Sequence, residues 1–73
     1  MDVKISQAAQ GFGNCKFIQA TVDGVEYVVY RYPCGLDVLK KSRTIGSQVF
    51  LIVTDREDIK QAIIEEDEKN EQK

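Results

Sequence analysis

The stretch CKFIQATVDGVEYVVYRY, Cys15–Tyr32, decides the fold of this 73-residue chain. Two runs rich in β-branched and aromatic residues flank the dipeptide Asp23-Gly24. Such a dipeptide closes a two-residue hairpin, because both of its residues can adopt the positive φ angles that the turn requires. Closure by two residues also sets the register and places Lys16 opposite Arg31. The sequence therefore predicts a β-hairpin over residues 15–32.

The two faces of this hairpin differ, since alternate residues of a strand point to opposite faces. One face is apolar and is predicted to face the core; it carries Ile18, Ala20, Val22, Val25, Tyr27 and Val29. The other face is polar near the turn and becomes apolar and aromatic towards the open end, with Phe17, Val28, Tyr30 and Tyr32. A simple two-layer protein should have a polar second face, so this aromatic patch indicates a further contact.

Three segments after the hairpin complete the predicted fold. LDVLKKS predicts a short helix near residues 36–42, and QVFLIVT predicts a strand at residues 48–54. The apolar run in that strand is continuous rather than alternating, which is typical of a strand buried on both faces. TDRE at residues 54–57 is typical of a capping box and predicts a C-terminal helix over residues 55–68.

The N-terminal residues give a weaker pattern, with a short strand at Val3–Ser6 and a glycine-containing loop at residues 7–14. The predicted class is α+β, a small antiparallel or mixed sheet with its helices segregated from it. Residues 1–64 are predicted to form a single domain, followed by a frayed acidic tail at residues 65–73.

Charge is distributed unevenly along the chain, whose net charge is −2. Residues 1–54 carry six cations against four acids, whereas residues 55–73 carry four cations against eight acids. A general nucleic-acid-binding protein usually has a strong basic excess, so this class of function is disfavoured.

A chain of this length buries too little surface to be very stable without a disulfide, a metal or a second subunit. It has no histidine, and Cys15 and Cys34 alone do not make a zinc site; no metal and no cofactor are predicted. A disulfide between Cys15 and Cys34 is one alternative, but because the chain begins without an apolar signal segment, we expect a reducing cytoplasm and two free thiols. No segment reaches the ~20 apolar residues of a membrane span. Self-association is therefore the expected source of stability.

Catalysis is not predicted. A cysteine nucleophile needs a base to form the thiolate, and the nearest carboxylate in sequence to Cys34, Asp37, would raise the thiol pKa. The acids of the terminal segment have the composition of a solvated surface, and we therefore predict a protein that is not an enzyme.

Anion binding is one candidate function. The segment KKSRT, Lys40–Thr44, groups three cations with two hydroxyls at the end of the predicted short helix, where cations also favour the helix dipole. The facing cations Lys16 and Arg31 would repel unless a negative group lies between them or their side chains diverge into solvent. The candidate ligand-binding residues are Arg31, Lys40, Lys41, Arg43, Thr44, Tyr30 and Tyr32.

The aromatic patch allows three interpretations: a surface on which a base stacks, a protein interface anchored by tyrosine, or an ordinary second core under the C-terminal helix. The candidate interface residues are Phe17, Val28, Tyr30, Tyr32, Phe50 and Ile52.

The order of elements in KFIQATVDGVEYVVYRYPCGLDVLKKSRTIGSQVFLIVTDRED, residues 16–58, resembles small oligomeric accessory proteins of bacteriophages and prophages. The resemblance implies an oligomer in the host cytoplasm that inhibits a host defence, by covering a host protein or by sequestering a nucleotide at subunit interfaces. It transfers no binding residue, because it includes no diagnostic motif.

The leading hypothesis is a non-enzymatic homo-oligomeric binding protein that acts by sequestration or occlusion, as a nucleotide sponge directed against a host defence. One alternative is an inhibitor of a host protein that uses the aromatic patch and the acidic tail. Another is a structural or assembly accessory protein.

Overall fold

A computed structural model describes residues 1–71, apart from the side chain of Phe12. Over these residues five strands form one antiparallel sheet in the order β1-β2-β3-β4-β5, and one α-helix follows. The elements are β1 Val3–Gln10, β2 Lys16–Val22, β3 Val25–Arg31, β4 Asp37–Ile45, β5 Gln48–Val53 and α1 Glu57–Glu71. The predicted α+β class is confirmed, and every strand pair is antiparallel.

The β2–β3 hairpin forms in the predicted register, with Lys16 opposite Arg31. Its two turn residues, Asp23 and Gly24, have φ angles of 51° and 83°. Positive φ at both positions is the conformation that matches the twist of the flanking strands.

The core lies between α1 and one face of the sheet. That face carries the apolar row predicted from the hairpin, and α1 contributes Ile59, Ile63 and Ile64. Ile18, Val29 and Ile63 are the largest side chains that are completely buried. The helix packs against β1 and β2, so its cover over the sheet does not extend to β5.

The predicted short helix at residues 36–42 is wrong, because residues 37–42 belong to β4 and Leu36 precedes that strand. In a strand, Val38 and Leu39 point to opposite faces, which matches their pairing with Tyr30 and Val29 on β3. Leu39 is buried in the core, whereas Leu36 remains exposed in the preceding turn. Pairing with β3 therefore prevails over the local helical spacing of the leucines.

The first strand is longer than the predicted segment Val3–Ser6, since it continues to Gln10. Its register against β2 shifts between Ile5 and Gln7, so Ser6 forms a bulge. Glutamine and alanine have low strand propensity, and pairing with β2 holds them in place.

The C-terminal helix begins two residues later than predicted and continues through Glu71. The capping box does not form as predicted, because the Thr54 amide donates to the carbonyl of Leu39 at 3.0 Å. Residues 65–71, predicted as a frayed tail, are the last turns of α1; residues 72–73 lie outside the described part of the chain. No helix within residues 1–71 is long and apolar enough to cross a membrane.

Candidate functional site

The face of the sheet opposite α1, called the open face here, carries the predicted aromatic patch. Phe17 and Tyr30 lie opposite each other on β2 and β3, with ring centroids 5.5 Å apart and an edge-to-face angle of 69°. Together with Tyr32 they line a cavity of about 450 Å³. The other lining residues are Ala9, Gln10, Gly11 and Cys15. The cavity thus lies at the end of the β2–β3 hairpin that is opposite its turn, next to the last residues of β1.

One cation lies beside this aromatic cavity. The Nζ atom of Lys40 is 5.0 Å from the centroid of the Tyr30 ring, within the range of a cation–π interaction. Lys40 reaches this position because it lies in β4 opposite Val28, on the same face as Tyr30. An aromatic wall next to an ammonium group is suited to a planar ligand that carries a negative charge.

The candidate ligand-binding residues do not come together as one cluster. Because β4 is a strand, its side chains alternate between the two faces of the sheet. Lys40 and Thr44 lie on the open face, whereas Lys41 and Arg43 lie on the same face as α1, called the helix face. Arg31 also lies on the helix face, opposite Lys16. Of these candidates, only Tyr30 and Tyr32 line the aromatic cavity, and Lys40 contacts the ring of Tyr30 without lining the cavity itself.

The like-charged pair Lys16 and Arg31 is neutralised by acids of the same chain. Lys16 Nζ donates to Asp67 Oδ2 at 2.7 Å and also contacts Glu71 Oε1. The Arg31 guanidinium lies 3.4 Å from Asp37 and 3.9 Å from Glu68. The negative charge that this pair needs is thus supplied by the end of α1 and the start of β4, and no ligand is required there.

Two pKa shifts accompany this cluster. Burial alone lowers the pKa of Lys16, but its hydrogen bonds to Asp67 and Glu71 raise it, and the net shift is upwards from 10.5. The hydrogen bond from Lys16 lowers the pKa of Glu71 below its ordinary value of 4.5.

These shifts predict a limited pH range for the stability that Glu71 contributes. A lowered folded-state pKa means that the contribution is present above pH 4.5 and is lost as the pH falls through the folded-state pKa. The raised pKa of Lys16 means that its part is present below pH 10.5 and is lost as the pH rises further. Urea unfolding of wild type and Glu71→Gln from pH 3 to 8 checks the acid limb. We expect the difference in midpoint to vanish at the acid end; a constant difference would contradict the ion pair.

The fifth strand is exposed on both faces within the single chain, contrary to the predicted two-sided burial. Val49 to Val53 keep between 41% and 67% of their surface exposed. Among residues 1–71 the strand pairs only with β4. The helix α1 packs against β1 and β2, at the opposite edge of the sheet. Within the described residues, intramolecular packing therefore leaves this apolar strand uncovered.

The free edge of β5 has a defined set of unpaired backbone groups. The Thr54 amide donates to the Leu39 carbonyl, so these two residues form a hydrogen-bonded pair. Along an antiparallel ladder, hydrogen-bonded pairs alternate with pairs that form no hydrogen bond to each other. With the β4–β5 register, this alternation directs the amide and carbonyl groups of Gln48, Phe50 and Ile52 towards β4. Those of Val49, Leu51 and Val53 therefore point away from the sheet.

The candidate interface residues fall into three groups. Phe17, Tyr30 and Tyr32 lie at the aromatic cavity, and Phe50 and Ile52 lie on β5. Val28 is already buried within the chain, with 5% of its surface exposed.

Sequence reasoning did not identify two features of this region. One is Asp67, which is 2% exposed and binds Lys16. Its immediate neighbours in sequence are all polar, and the signal that could have found it is its position four residues after Ile63, on the helix face that carries Ile59 and Ile63. The other is the contribution of Ala9, Gln10 and Gly11 to the aromatic cavity. The contribution of Ala9 and Gln10 could have been predicted from the length of the hairpin. One edge of β2 is left without a partner by the hairpin, so a preceding strand can pair along its whole length.

No family model, no curated protein and no solved structure matches this chain.

Proposed function

We propose that this protein is a non-enzymatic, homo-oligomeric binding protein that acts by sequestration or occlusion. The exposed strand β5 is the observation that carries the proposal. Monomeric soluble proteins rarely expose a continuous apolar surface of this kind, and such surfaces mark interaction sites. A chain of this size also gains stability from a second subunit.

The aromatic cavity supports a planar, anionic ligand as the sequestered molecule. Phe17, Tyr30 and Tyr32 provide faces on which a base stacks, and Lys40 provides a cation at the ring of Tyr30. The proposal no longer includes Arg31, because its charge is balanced by Asp37 and Glu68. A nucleotide sponge carried by a phage, acting in the host cytoplasm, is the form of this function that the resemblance of the sequence favours.

The alternative of a host-protein inhibitor has less support from this geometry. It assigns the contact to the aromatic patch and the acidic C-terminal segment, yet three acids of that segment, Asp67, Glu68 and Glu71, pair with cations of their own sheet. An assembly accessory protein would share the oligomer but would need no ligand at the aromatic cavity.

Light scattering on a size-exclusion column tests the oligomer. We expect a mass of at least twice the 8.3 kDa of one chain at micromolar concentrations. A clean 8.3 kDa species over the whole concentration range would reject the proposed function.

Substitution of Lys40 tests the ligand. We expect Lys40→Gln to weaken binding of a nucleotide about tenfold, because it removes the cation beside the stacking surface. Lys41→Gln is the matched control, since Lys41 is adjacent in sequence but lies on the opposite face. The measurement is calorimetric titration with a panel of linear and cyclic nucleotides, preceded by mass spectrometry of the heat-extracted protein. If no nucleotide is released or bound, or if both variants bind like wild type, the ligand assignment is wrong.

A further inference from the structure

We infer that β5 pairs antiparallel with β5 of a second copy, about a two-fold axis that passes midway between the two copies of Leu51. The two five-stranded sheets then become one continuous sheet of ten strands. This inference rests on the proposed homo-oligomer and specifies which surface, which partner strand and which register form it.

The two edges of the sheet differ in how they are protected. The β1 edge carries the charged residue Lys4 and a bulge at Ser6, and it ends in the polar residue Gln10. Charges and bulges are the devices that prevent an edge from pairing with another chain. The β5 edge has neither a charge, a proline nor a bulge over Gln48–Val53. This asymmetry favours pairing of β5 with itself over pairing of β5 with β1, which would produce open fibres.

The exposed apolar side chains are concentrated at the same edge. Of the nine large hydrophobic side chains that are exposed among residues 1–71, with Phe12 left out because its side chain is not described, six lie on β4 and β5: Ile45, Val49, Phe50, Leu51, Ile52 and Val53. Together they present on the order of several hundred Å² of apolar surface. A standard interface removes about 800 Å² from each partner, which is roughly a sixth of this chain's 5085 Å². The patch is therefore of the size that a small dimer needs.

The direction of the free backbone groups sets the register. The outward groups belong to Val49, Leu51 and Val53, so these residues must form the hydrogen-bonded pairs with the second copy. Full overlap of these three positions places Leu51 opposite Leu51 of the second copy, and Val49 opposite Val53. Each such pair exchanges two hydrogen bonds. Any shifted register loses at least one of these pairs.

Neither steric overlap between the two helices nor repulsion between cations opposes this arrangement. The helix packs on β1 and β2, so the two helices lie at the outer ends of the joined sheet. The nearest cations on the helix face are Lys41 and Arg43 of β4. Their counterparts in the second copy lie about 14 Å away, three strand spacings of roughly 4.8 Å, beyond the screening length of about 8 Å at physiological salt.

Leu51→Pro is the first test. Proline removes the outward amide of Leu51 but leaves the β4–β5 ladder intact, because that ladder uses Gln48, Phe50 and Ile52. We expect self-association to weaken at least 100-fold, with an unchanged circular dichroism spectrum. If Leu51→Pro does not fold, Leu51→Lys provides the same test by placing two like charges at the axis. Leu36→Lys is the matched control for Leu51→Lys, since Leu36 is also an exposed leucine but lies in the β3–β4 turn.

Cross-linking tests the register itself. In a Cys34→Ser background, Leu51→Cys should form a disulfide-linked dimer on mild oxidation, because opposed Cα atoms in such a pair lie about 5.5 Å apart. Gln48→Cys should not, since the two copies of residue 48 would be about 20 Å apart. Cross-linking at residue 48 but not at 51 would overturn the register. An oligomer that persists in a folded Leu51→Pro or Leu51→Lys variant would overturn the β5 pairing while leaving the proposed function intact, whereas a monomeric wild type would overturn both.

Discussion

Replacing Ile63 with alanine is expected to lower the free energy of unfolding by about 2–5 kcal/mol. Ile63 is completely buried between α1 and the sheet, in the same cluster as Ile18 and Val29. The loss combines the transfer of the removed methyl and methylene groups with the cavity that they leave. A domain of this length has a total stability of roughly 4–11 kcal/mol, so the variant should be near or beyond unfolding at 37 °C. Urea denaturation followed by circular dichroism measures the change.

Gln61→Ala is the matched control for Ile63→Ala, because Gln61 is an exposed residue of the same helix. We expect it to change the stability by less than about 0.5 kcal/mol. Equal stabilities for Ile63→Ala and Gln61→Ala would show that α1 does not pack on the sheet as described.

Asp67→Asn is expected to have the second-largest effect, a loss of about 1–3 kcal/mol. Asp67 is one of two acids that bind Lys16, and its side chain is only 3% exposed. The substitution removes the charge that compensates a lysine whose own side chain is 23% exposed. Partial exposure of Lys16 keeps the loss below the 3–5 kcal/mol that is typical of breaking a fully buried pair.

Glu65→Gln serves as the comparison, because Glu65 is an exposed acid of the same helix. Chemical denaturation at pH 7 should place this variant within about 0.5 kcal/mol of wild type. If Asp67→Asn matched it, the pair of Lys16 and Asp67 would make no net contribution to stability.

The sequence was sufficient to predict the β2–β3 hairpin in detail. Asp23-Gly24 is a local signal, since two residues determine both the turn and the register of everything that flanks them. The apolar row through Ile18 and Val29 followed from that register, and it is the core row in the structure. Local chemistry and tertiary packing agree in this part of the chain.

The fourth strand could not be predicted in the same way. LDVLKKS has leucines at a helical spacing, and only pairing with β3 decides that it is extended. Strand propensity depends strongly on neighbouring strands, and those neighbours are not visible in a local window. The error also changed the candidate site, because a strand separates Lys40 from Lys41 whereas a helix would have kept them together.

The partner of Lys16 was a long-range feature as well. The register correctly placed Lys16 opposite Arg31, and it left two possibilities, a negative group between them or divergence of both side chains into solvent. That group lies on α1, 51 residues further along the chain at Asp67. The predicted frayed tail excluded it, because the acidic composition of residues 65–71 was taken to mean solvation alone. These acids instead dock the last turns of the helix onto the cationic end of the hairpin.

The fifth strand was predicted as a strand, but its surroundings were not. Its continuous apolar run indicated burial on both faces, yet the single chain buries neither. The prediction and the structure agree if a second chain covers this strand, and the central claim of the proposal is that this second chain is another copy.

Hydrogen exchange at the β5 amides tests that claim most directly. The amides of Val49, Leu51 and Val53 point away from β4, so within one chain they have no hydrogen-bond partner in the sheet. The amides of Phe50 and Ile52 bond to β4 and serve as an internal control. We predict that Val49, Leu51 and Val53 become protected as the protein concentration rises, while Phe50 and Ile52 are protected at all concentrations. Fast exchange of the three outward amides at every concentration would contradict the pairing of β5 with a second copy.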